Sequence, residues 1–300
     1  MSADQHTPQD PRQQHRQPDE QQPERIPHPG RTADMPQRPD HGEDSYRGSG
    51  RLEGRKAVIT GGDSGIGRAV ALAFAREGAD VLISYLPEEE QDGQETVQLG
   101  QKAGREAISV PGDVRTEEQC GRIVEQAVAG FGRIDILVNN AAYQMSQPGG
   151  IADISTEQFD RVMKTNLYGM FWLCKAALPH MPAGSSILNT SSVQAFQPSA
   201  PLLDYATSKA GIVNFTKALA ADLVGKGIRV NSVAPGPVWT PLIPATMPAE
   251  KVDSFGAEES PMGRAAQPAE LAPVYVFLAS QESSYITGEV LGVTGGKPIS

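Results

Sequence analysis

A tyrosine and a lysine stand four residues apart in the segment from Tyr205 to Lys209. On a helix this spacing places both side chains on one face, so the lysine cation would lie near the phenol. A phenol has a pKa of about 10, and a nearby cation favours the phenolate and lowers that pKa. The pair therefore suits proton exchange with an alcohol or an alkoxide near neutral pH. Such pairs also arise by chance, so further signals are needed.

A cluster of glycines, spaced G-x-x-x-G-x-G, follows the first short apolar run, between Thr60 and Gly67. Glycine lets the backbone turn tightly and approach a pyrophosphate, and a helix N-terminus offers free N–H groups to the anion. Glycines in loops often serve only the turn. Here the cluster lies between a predicted strand and a predicted helix, which favours a dinucleotide-phosphate site.

From Arg51 onward, short apolar runs alternate with helical patterns, as in strand–helix–strand units. The runs predict seven strands, at residues 56–60, 80–84, 107–110, 134–139, 186–189, 228–233 and 289–293. Six helices are predicted at residues 65–77, 88–103, 116–131, 156–180, 204–224 and 268–280. We therefore expect a single α/β domain with a Rossmann-type, doubly wound, seven-stranded parallel sheet and helices on both faces. Ligands of such sheets bind at the carboxyl ends of the strands.

Residues 1–50 form a polar extension ahead of this domain, which spans residues 51–300. Up to about residue 25 the chain is rich in Gln, Pro, Arg and Asp, and it lacks the apolar side chains that would offset ordering, so we expect disorder there. Ile26, Met35 and Tyr46 then occur at intervals. They predict either an extended arm anchored on this or a neighbouring subunit, or a fully mobile tail.

Charge and composition exclude several kinds of function. The net charge of −10 argues against non-specific nucleic-acid binding, which needs a basic face. The sequence contains no apolar run of the roughly 18 residues that a membrane span needs, and no N-terminal apolar segment that suggests secretion. We expect a cytoplasmic protein that binds neither membrane nor nucleic acid.

Few residues of the predicted domain could bind a metal. Cys120 and Cys174 lie in separate helical patterns, which predicts buried, reduced thiols rather than a zinc site. Of the five histidines, only His180 lies beyond the first fifty residues. A histidine base or metal centre is therefore not expected.

Several further motifs occur in the order typical of one family. With the glycine turn and the tyrosine–lysine pair, the chain resembles the short-chain dehydrogenase/reductase family over nearly all of residues 52–296. The other matching segments are Gly112-Asp113-Val114, Asn139-Asn140-Ala141-Ala142, Asn166-Leu167-Tyr168-Gly169, Ser191-Ser192 and Pro235-Gly236. Their details look closest to bacterial aldehyde reductases related to glucose and ribitol dehydrogenases, some of which carry a polar N-terminal extension. The resemblance implies an NAD(P)(H)-dependent oxidoreductase that interconverts an aldehyde, ketone or sugar carbonyl and its alcohol.

The resemblance also implies roles for individual residues. Tyr205 would be the acid or base, and Lys209 would assist it and hold the nicotinamide ribose. Ser192, at the family's usual distance of thirteen residues before the tyrosine, would bind the substrate oxygen in preference to Ser191. Asn166 would position a water that relays protons to Lys209. The cofactor would be bound by Gly61, Asp63, Ser64, Gly65, Ile66, Gly67, Tyr85, Asp113, Val114, Asn140, Ala141, Tyr205, Lys209, Pro235, Gly236, Val238 and Thr240.

The choice between NADP and NAD depends on the end of the second predicted strand, near Tyr85. Relatives that prefer NAD tend to carry a carboxylate there for the ribose hydroxyls. This chain has neither a carboxylate nor an arginine at that position, although Glu88, Glu89 and Glu90 follow closely. The sequence favours NADP slightly, with dual use open. Ala142 replaces the family's usual glycine, which narrows the space near the cofactor.

The segment 238–262 follows the sixth predicted strand and is predicted to form a lid over the substrate, although packing on the core or a subunit interface is an alternative. Gln144, Gln194 and Trp239 are further candidate substrate contacts, with Ser192. Most relatives assemble as homotetramers through the two long helices and the last strand, so the same state is implied here. Two alternatives stay open, namely a nucleotide-binding interaction protein without turnover and a family member that catalyses epimerisation or enoyl reduction.

Overall fold

A computed structural model describes residues 4–14, 25–35, 37–257 and 260–299. Seven parallel strands form one sheet in the order β3-β2-β1-β4-β5-β6-β7. Their bounds are β1 (Lys56–Thr60), β2 (Asp80–Tyr85), β3 (Ala107–Pro111), β4 (Ile136–Asn139), β5 (Ser186–Thr190), β6 (Arg229–Pro235) and β7 (Val290–Val293). The strand order reverses between β1 and β4, which opens a crevice at their carboxyl ends.

Helices cover both faces of this sheet. Their bounds are α1 (Gly65–Arg76), α2 (Glu90–Lys102), α3 (Glu117–Phe131), α4 (Thr156–Met163), α5 (Gly169–Ala177), α6 (Leu203–Leu223), α7 (Leu242–Thr246), α8 (Ala249–Asp253) and α9 (Pro268–Ala279). One buried cluster packs α1 and α9 against the sheet, and a second packs α3, α5 and α6 against its other face. The central strands are therefore buried on both sides, which explains their unbroken apolar runs.

The predicted helix 156–180 is interrupted in the structure. Its first part ends at Met163, and a π-helical turn over Lys164–Tyr168 separates it from α5. A short 3₁₀ turn, Leu178–His180, follows α5. The backbone stays helical through the π turn, and no proline or glycine marks where it begins, so the sequence pattern alone did not reveal this break.

The extension packs on its own chain where the structure describes it. Residues 4–14 were expected to be disordered, but the Gln5 N–H donates to the Ser45 carbonyl at 3.2 Å and Arg264 Nε donates to the Pro11 carbonyl at 2.8 Å. The rest of that expectation, residues 15–24, lies outside the described residues. Ile26 and Met35 are buried in a cluster with Trp239 and its neighbours. The anchored arm is therefore the alternative that the structure supports.

No helix in the described ranges is both long and apolar enough to cross a bilayer. Cys120 and Cys174 are free and buried, as expected, and burial raises the pKa of each thiol to about 12. These thiols are therefore core side chains rather than nucleophiles.

Candidate active site

The glycine turn connects β1 to α1 at the crevice. Gly65 has a φ of +48°, and a Cβ there would approach Thr240 Cγ2 to 3.0 Å. A Cβ on Gly67 would lie 1.8 Å from the Gly61 carbonyl oxygen, so only glycine lets the helix start so close to the turn. The N–H groups in the first turn of α1 have no acceptor within the helix. This geometry suits a pyrophosphate.

Hydrogen bonds hold the ends of β1, β4 and β5 together. Thr60 Oγ1 accepts from the N–H groups of Asn140 and Ala141, both at 3.1 Å. Asn140 Nδ2 donates to the Thr60 carbonyl at 3.1 Å, and its Oδ1 accepts from Thr190 Oγ1 at 3.3 Å. The three strand ends thereby form a rigid base for one cavity of about 860 Å³.

The structure places nearly all the predicted cofactor residues on the wall of this cavity. Those that line it are Gly61, Asp63, Ser64, Gly65, Ile66, Tyr85, Asp113, Val114, Asn140, Ala141, Tyr205, Lys209, Pro235, Gly236, Val238 and Thr240. Gly67 lies behind the turn and shapes it instead of facing the cavity. Ala142 also lines the cavity, so its methyl group takes space that glycine would leave.

Two buried polar atoms on this wall suit the ribose of a dinucleotide. Within the described ranges, Asp63 Oδ2 and Ser84 Oγ have no hydrogen-bond partner. Both residues line the cavity beside Tyr85 and Glu89. Burial raises the pKa of the Asp63 and Glu89 carboxyls, and Asp63 adds to the effect on Glu89. An orphaned carboxylate oxygen is an acceptor for a hydroxyl, so the site fits a nicotinamide dinucleotide.

Lys209 and Tyr205 lie on α6 at the opposite part of the same cavity. Lys209 is 1% exposed, its Nζ donates to the Thr190 carbonyl at 2.8 Å, and it lies 5.3 Å from the centre of the Tyr205 ring. Burial lowers the pKa of Lys209 to about 7. Burial also raises the pKa of Tyr205 to about 12, although hydrogen bonding with Ser192 lowers it in part.

This result corrects one expectation, because the lysine was predicted to lower the pKa of Tyr205. A buried amine with a pKa of about 7 is only partly charged near neutral pH. It therefore offers the phenol less positive charge than an exposed lysine would. Burial therefore favours the protonated form of the Tyr205 phenol.

The two serines after β5 have different surroundings. Ser191 Oγ donates to the Val233 carbonyl at 3.0 Å and accepts from Ser232 Oγ at 2.8 Å. Its hydroxyl proton is therefore used in a hydrogen bond to β6. Ser192 Oγ accepts a hydrogen bond from the Gln194 N–H at 3.1 Å and hydrogen-bonds with Tyr205. It therefore lies beside the phenol, where its hydroxyl suits donation to a substrate oxygen.

Asn166 lies in the π turn, behind the cavity wall. Its Nδ2 donates to the Tyr143 carbonyl at 3.0 Å and to Ser208 Oγ at 2.9 Å, and its Oδ1 accepts from the Tyr143 N–H. Both amide protons are thus used within the protein. A separate cavity of about 10 Å³ adjoins Asn166 and Thr190, which is about the space that one water needs.

The three further substrate candidates separate into two groups. Gln144 and Gln194 line the cavity, where Gln144 Nε2 donates to Thr246 Oγ1 and Gln194 Oε1 accepts from the Ser199 N–H. Trp239 was expected to contact substrate, but it is 2% exposed, faces away from the cavity, and donates from Nε1 to the Gln37 carbonyl at 3.1 Å. It anchors the N-terminal extension instead.

Several residues of the wall were not predicted as contacts. His28, Pro29 and Gly30 come from the extension, Tyr143 follows β4, and Arg161 lies in α4. The Arg161 guanidinium stacks 4.1 Å from the Tyr143 ring centre. No motif marks these residues, because their place depends on contacts between distant parts of the chain.

Comparison with known proteins places this site in a family. A family model described as enoyl-(acyl carrier protein) reductase matches residues 61–297. The chain is 52% identical over 275 residues to the uncharacterized oxidoreductase YghA of Escherichia coli (strain K12), covering 91% of this chain and 93% of that protein. It is 49% identical to NADPH-dependent aldehyde reductase 1, chloroplastic, of Arabidopsis thaliana, covering 91% and 96%.

A solved structure agrees with these relatives. A short-chain dehydrogenase from Burkholderia cenocepacia J2315 in complex with NADP superposes with a TM-score of 0.77 at 31% identity, covering 82% of this chain and 99% of that one. The chain belongs to the short-chain dehydrogenase/reductase family. Membership of this family confirms the predicted fold and the predicted class of activity, a nicotinamide-dependent oxidoreductase acting on a carbonyl or an alcohol.

Proposed function

We propose that this protein reduces an aldehyde, ketone or sugar carbonyl to its alcohol, and catalyses the reverse oxidation, with NADPH or NADH. The observation that carries the proposal is the cavity, which joins the glycine turn and Asp63 at one end to Ser192, Tyr205 and Lys209 at the other. One continuous space therefore suits both a dinucleotide and a small carbonyl compound.

Residues of this chain supply the proton that the substrate oxygen takes up in reduction. A nicotinamide bound in the cleft would supply the hydride in reduction and accept it in oxidation. Ser192 Oγ donates a hydrogen bond to the substrate oxygen and stabilises its developing charge. Tyr205, whose pKa of about 12 keeps it protonated, transfers its phenolic proton to that oxygen. Lys209, with a pKa of about 7, can return a proton to Tyr205 near neutral pH.

The test follows the absorbance of NADPH and NADH with a panel of short aldehydes, ketones and sugars. We expect turnover with at least one carbonyl compound, and a loss of at least about a hundredfold in kcat for Tyr205→Phe with cofactor affinity retained. Tyr285→Phe is the matched control, because Tyr285 is fully exposed. Normal turnover by Tyr205→Phe would overturn the assignment of the acid.

Other outcomes of the panel would favour the alternatives. Oxidation of NADPH by an unsaturated thioester, with none by the carbonyl panel, would point to enoyl reduction, which is the description of the matching family model. Cofactor binding without any turnover would favour a nucleotide-binding interaction protein.

The proposal includes a homotetramer, a cytoplasmic location, and a catalytic domain from residue 51 with a lid over residues 238–262. Phe159 in α4, Tyr168 in the π turn and Phe171 in α5 expose 40, 53 and 46% of their surface, which suits a subunit interface along this stretch. The two buried thiols suit a reducing compartment. Light scattering after size exclusion checks the assembly, and Phe171→Arg should weaken it.

A further inference from the structure

The segment of residues 25–35, called the arm below, crosses the mouth of the cofactor cleft. At one end the Ile26 N–H donates to the Pro244 carbonyl at 3.3 Å, in α7 beyond β6. At the other end the Thr32 N–H donates to Asp92 Oδ2 at 2.6 Å, in α2 beyond β2. Six residues extend at most about 20 Å, so the chain between these bonds takes a short path across the strand ends.

The middle of the arm faces the cavity. His28, Pro29 and Gly30 line it together with the glycine turn and Asp113. Gly30 has a φ of +94°, and a Cβ there would lie 2.6 Å from the Pro241 carbonyl oxygen and 3.0 Å from Ala245 Cβ. Only glycine fits this contact without displacing the backbone. The seat of the arm on the segment after β6 is therefore closely fitted.

His28 places an aromatic ring on the wall of the cleft. Its imidazole packs edge-on against the Tyr143 ring, with 5.2 Å between centres. Arg161, Glu88 and Arg115 also lie close enough to act on its charge, and the last two follow the ends of β2 and β3. These strand ends form the side of the cleft where Asp63 Oδ2 and Ser84 Oγ lack hydrogen-bond partners and suit ribose hydroxyls.

We propose that the arm is part of the dinucleotide-binding site, where His28, Pro29 and Gly30 close the cleft over the adenosine half of the cofactor. This inference rests on the proposed function, since it assumes that the cleft binds a nicotinamide dinucleotide. It gives the N-terminal extension a role in binding. It also implies that the cofactor leaves only when the arm detaches, so ligand and arm stabilise each other's bound state.

Trypsin cleavage of the full-length protein after Arg31 tests this coupling. Arg31 lies within the arm and is exposed, and cleavage there requires local detachment of the arm. Saturating NADP or ADP-ribose should slow this cut about tenfold or more, and nicotinamide mononucleotide should not. Cleavage after Arg12, whose side chain is 72% exposed, is the internal control and should not change. An unchanged rate at Arg31, with cofactor binding verified by fluorescence, would overturn the proposal.

Two substitutions test the converse effect on NADPH release, measured by stopped-flow fluorescence without any substrate. Gly30→Val should displace the arm, accelerate the cut after Arg31 and raise the dissociation rate about tenfold. His28→Ala should raise that rate several-fold, while its control His6→Ala, at an exposed position, should not. A Gly30→Val protein with a faster cut but a wild-type release rate would refute the inference. Because these readouts need no turnover, they fail separately from the proposed reaction.

Discussion

Replacement of Lys209 by methionine should stabilise the fold while it abolishes activity. The lysine is 1% exposed, and burial lowers its pKa from 10.5 to about 7. At 1.36 kcal/mol for each pKa unit, keeping the charged amine buried costs roughly 5 kcal/mol. Methionine is unbranched and of similar length, so it can fill the site without that cost.

The substitution also removes the hydrogen bond from Lys209 Nζ to the Thr190 carbonyl, and an unpaired buried acceptor costs about 1–3 kcal/mol. The expected net effect at pH 6 is therefore a free energy of unfolding about 2–4 kcal/mol higher than that of the wild type. Turnover should fall at least about a hundredfold, because Tyr205 loses its proton partner.

The difference in stability between Lys209→Met and the wild type should depend on pH. Between pH 7 and 10.5 the unfolded chain binds more protons at Lys209 than the folded chain does, so wild-type stability rises with pH across this window. Lys209→Met lacks that rise, and its advantage should shrink from pH 6 to pH 10. Urea unfolding followed by circular dichroism measures the free energies of unfolding of the wild type and of the variant at each pH. Lys217→Met, at an exposed position of the same helix, controls for the lost charge.

The reasoning fails if Lys209→Met is less stable than the wild type by a constant amount at every pH. That result would mean that the amine is solvated or paired in the folded protein.

Two further substitutions address the cofactor preference and the anchoring of the extension. Asp63→Asn removes a carboxylate, with one unpaired oxygen, that would repel a 2′-phosphate. The affinity for NADPH relative to NADH should therefore rise about tenfold in fluorescence titrations at pH 8 and low salt. An equal change in Glu88→Gln, at an exposed position, would indicate only a long-range effect of charge. Burial alone would raise the pKa of Glu77, but hydrogen bonds from Arg51 and Tyr46 hold it at about 2. Glu77→Gln should therefore cost about 3 kcal/mol in urea unfolding at pH 7, and wild-type stability should fall as pH drops from 4.5 to 2; a variant with the wild-type midpoint would contradict this account.

Local sequence patterns were sufficient to predict the sheet and the motifs at the carboxyl ends of its strands. The strands run within one or two residues of the predicted bounds, because each is an apolar run bounded by turn residues, and the central strands are buried on both faces. Parallel strands bring their carboxyl ends to one edge. Motifs that are far apart in the chain, such as Gly61, Asn140 and Tyr205, therefore meet at one cavity.

Contacts between distant segments account for what the sequence did not show. Trp239 carries no signal that its indole would face Gln37 and not a ligand, because that choice depends on where the extension packs. The pKa values of Lys209 and Tyr205 follow from burial of the lysine and partial burial of the tyrosine, which no spacing between two residues reveals.

The sequence by itself determined the family, the alternation of strands and helices, and the residue types that could transfer a proton, since these depend on local pattern. The tertiary structure alone decided that the arm crosses the cleft, through bonds such as that from Ile26 to Pro244. It also decided that burial raises the pKa of Tyr205 and that Asp63 has an unpaired oxygen on the cavity wall. The physical reason is that burial and pairing are properties of the packed chain, whereas periodicity and motif spacing are properties of the sequence.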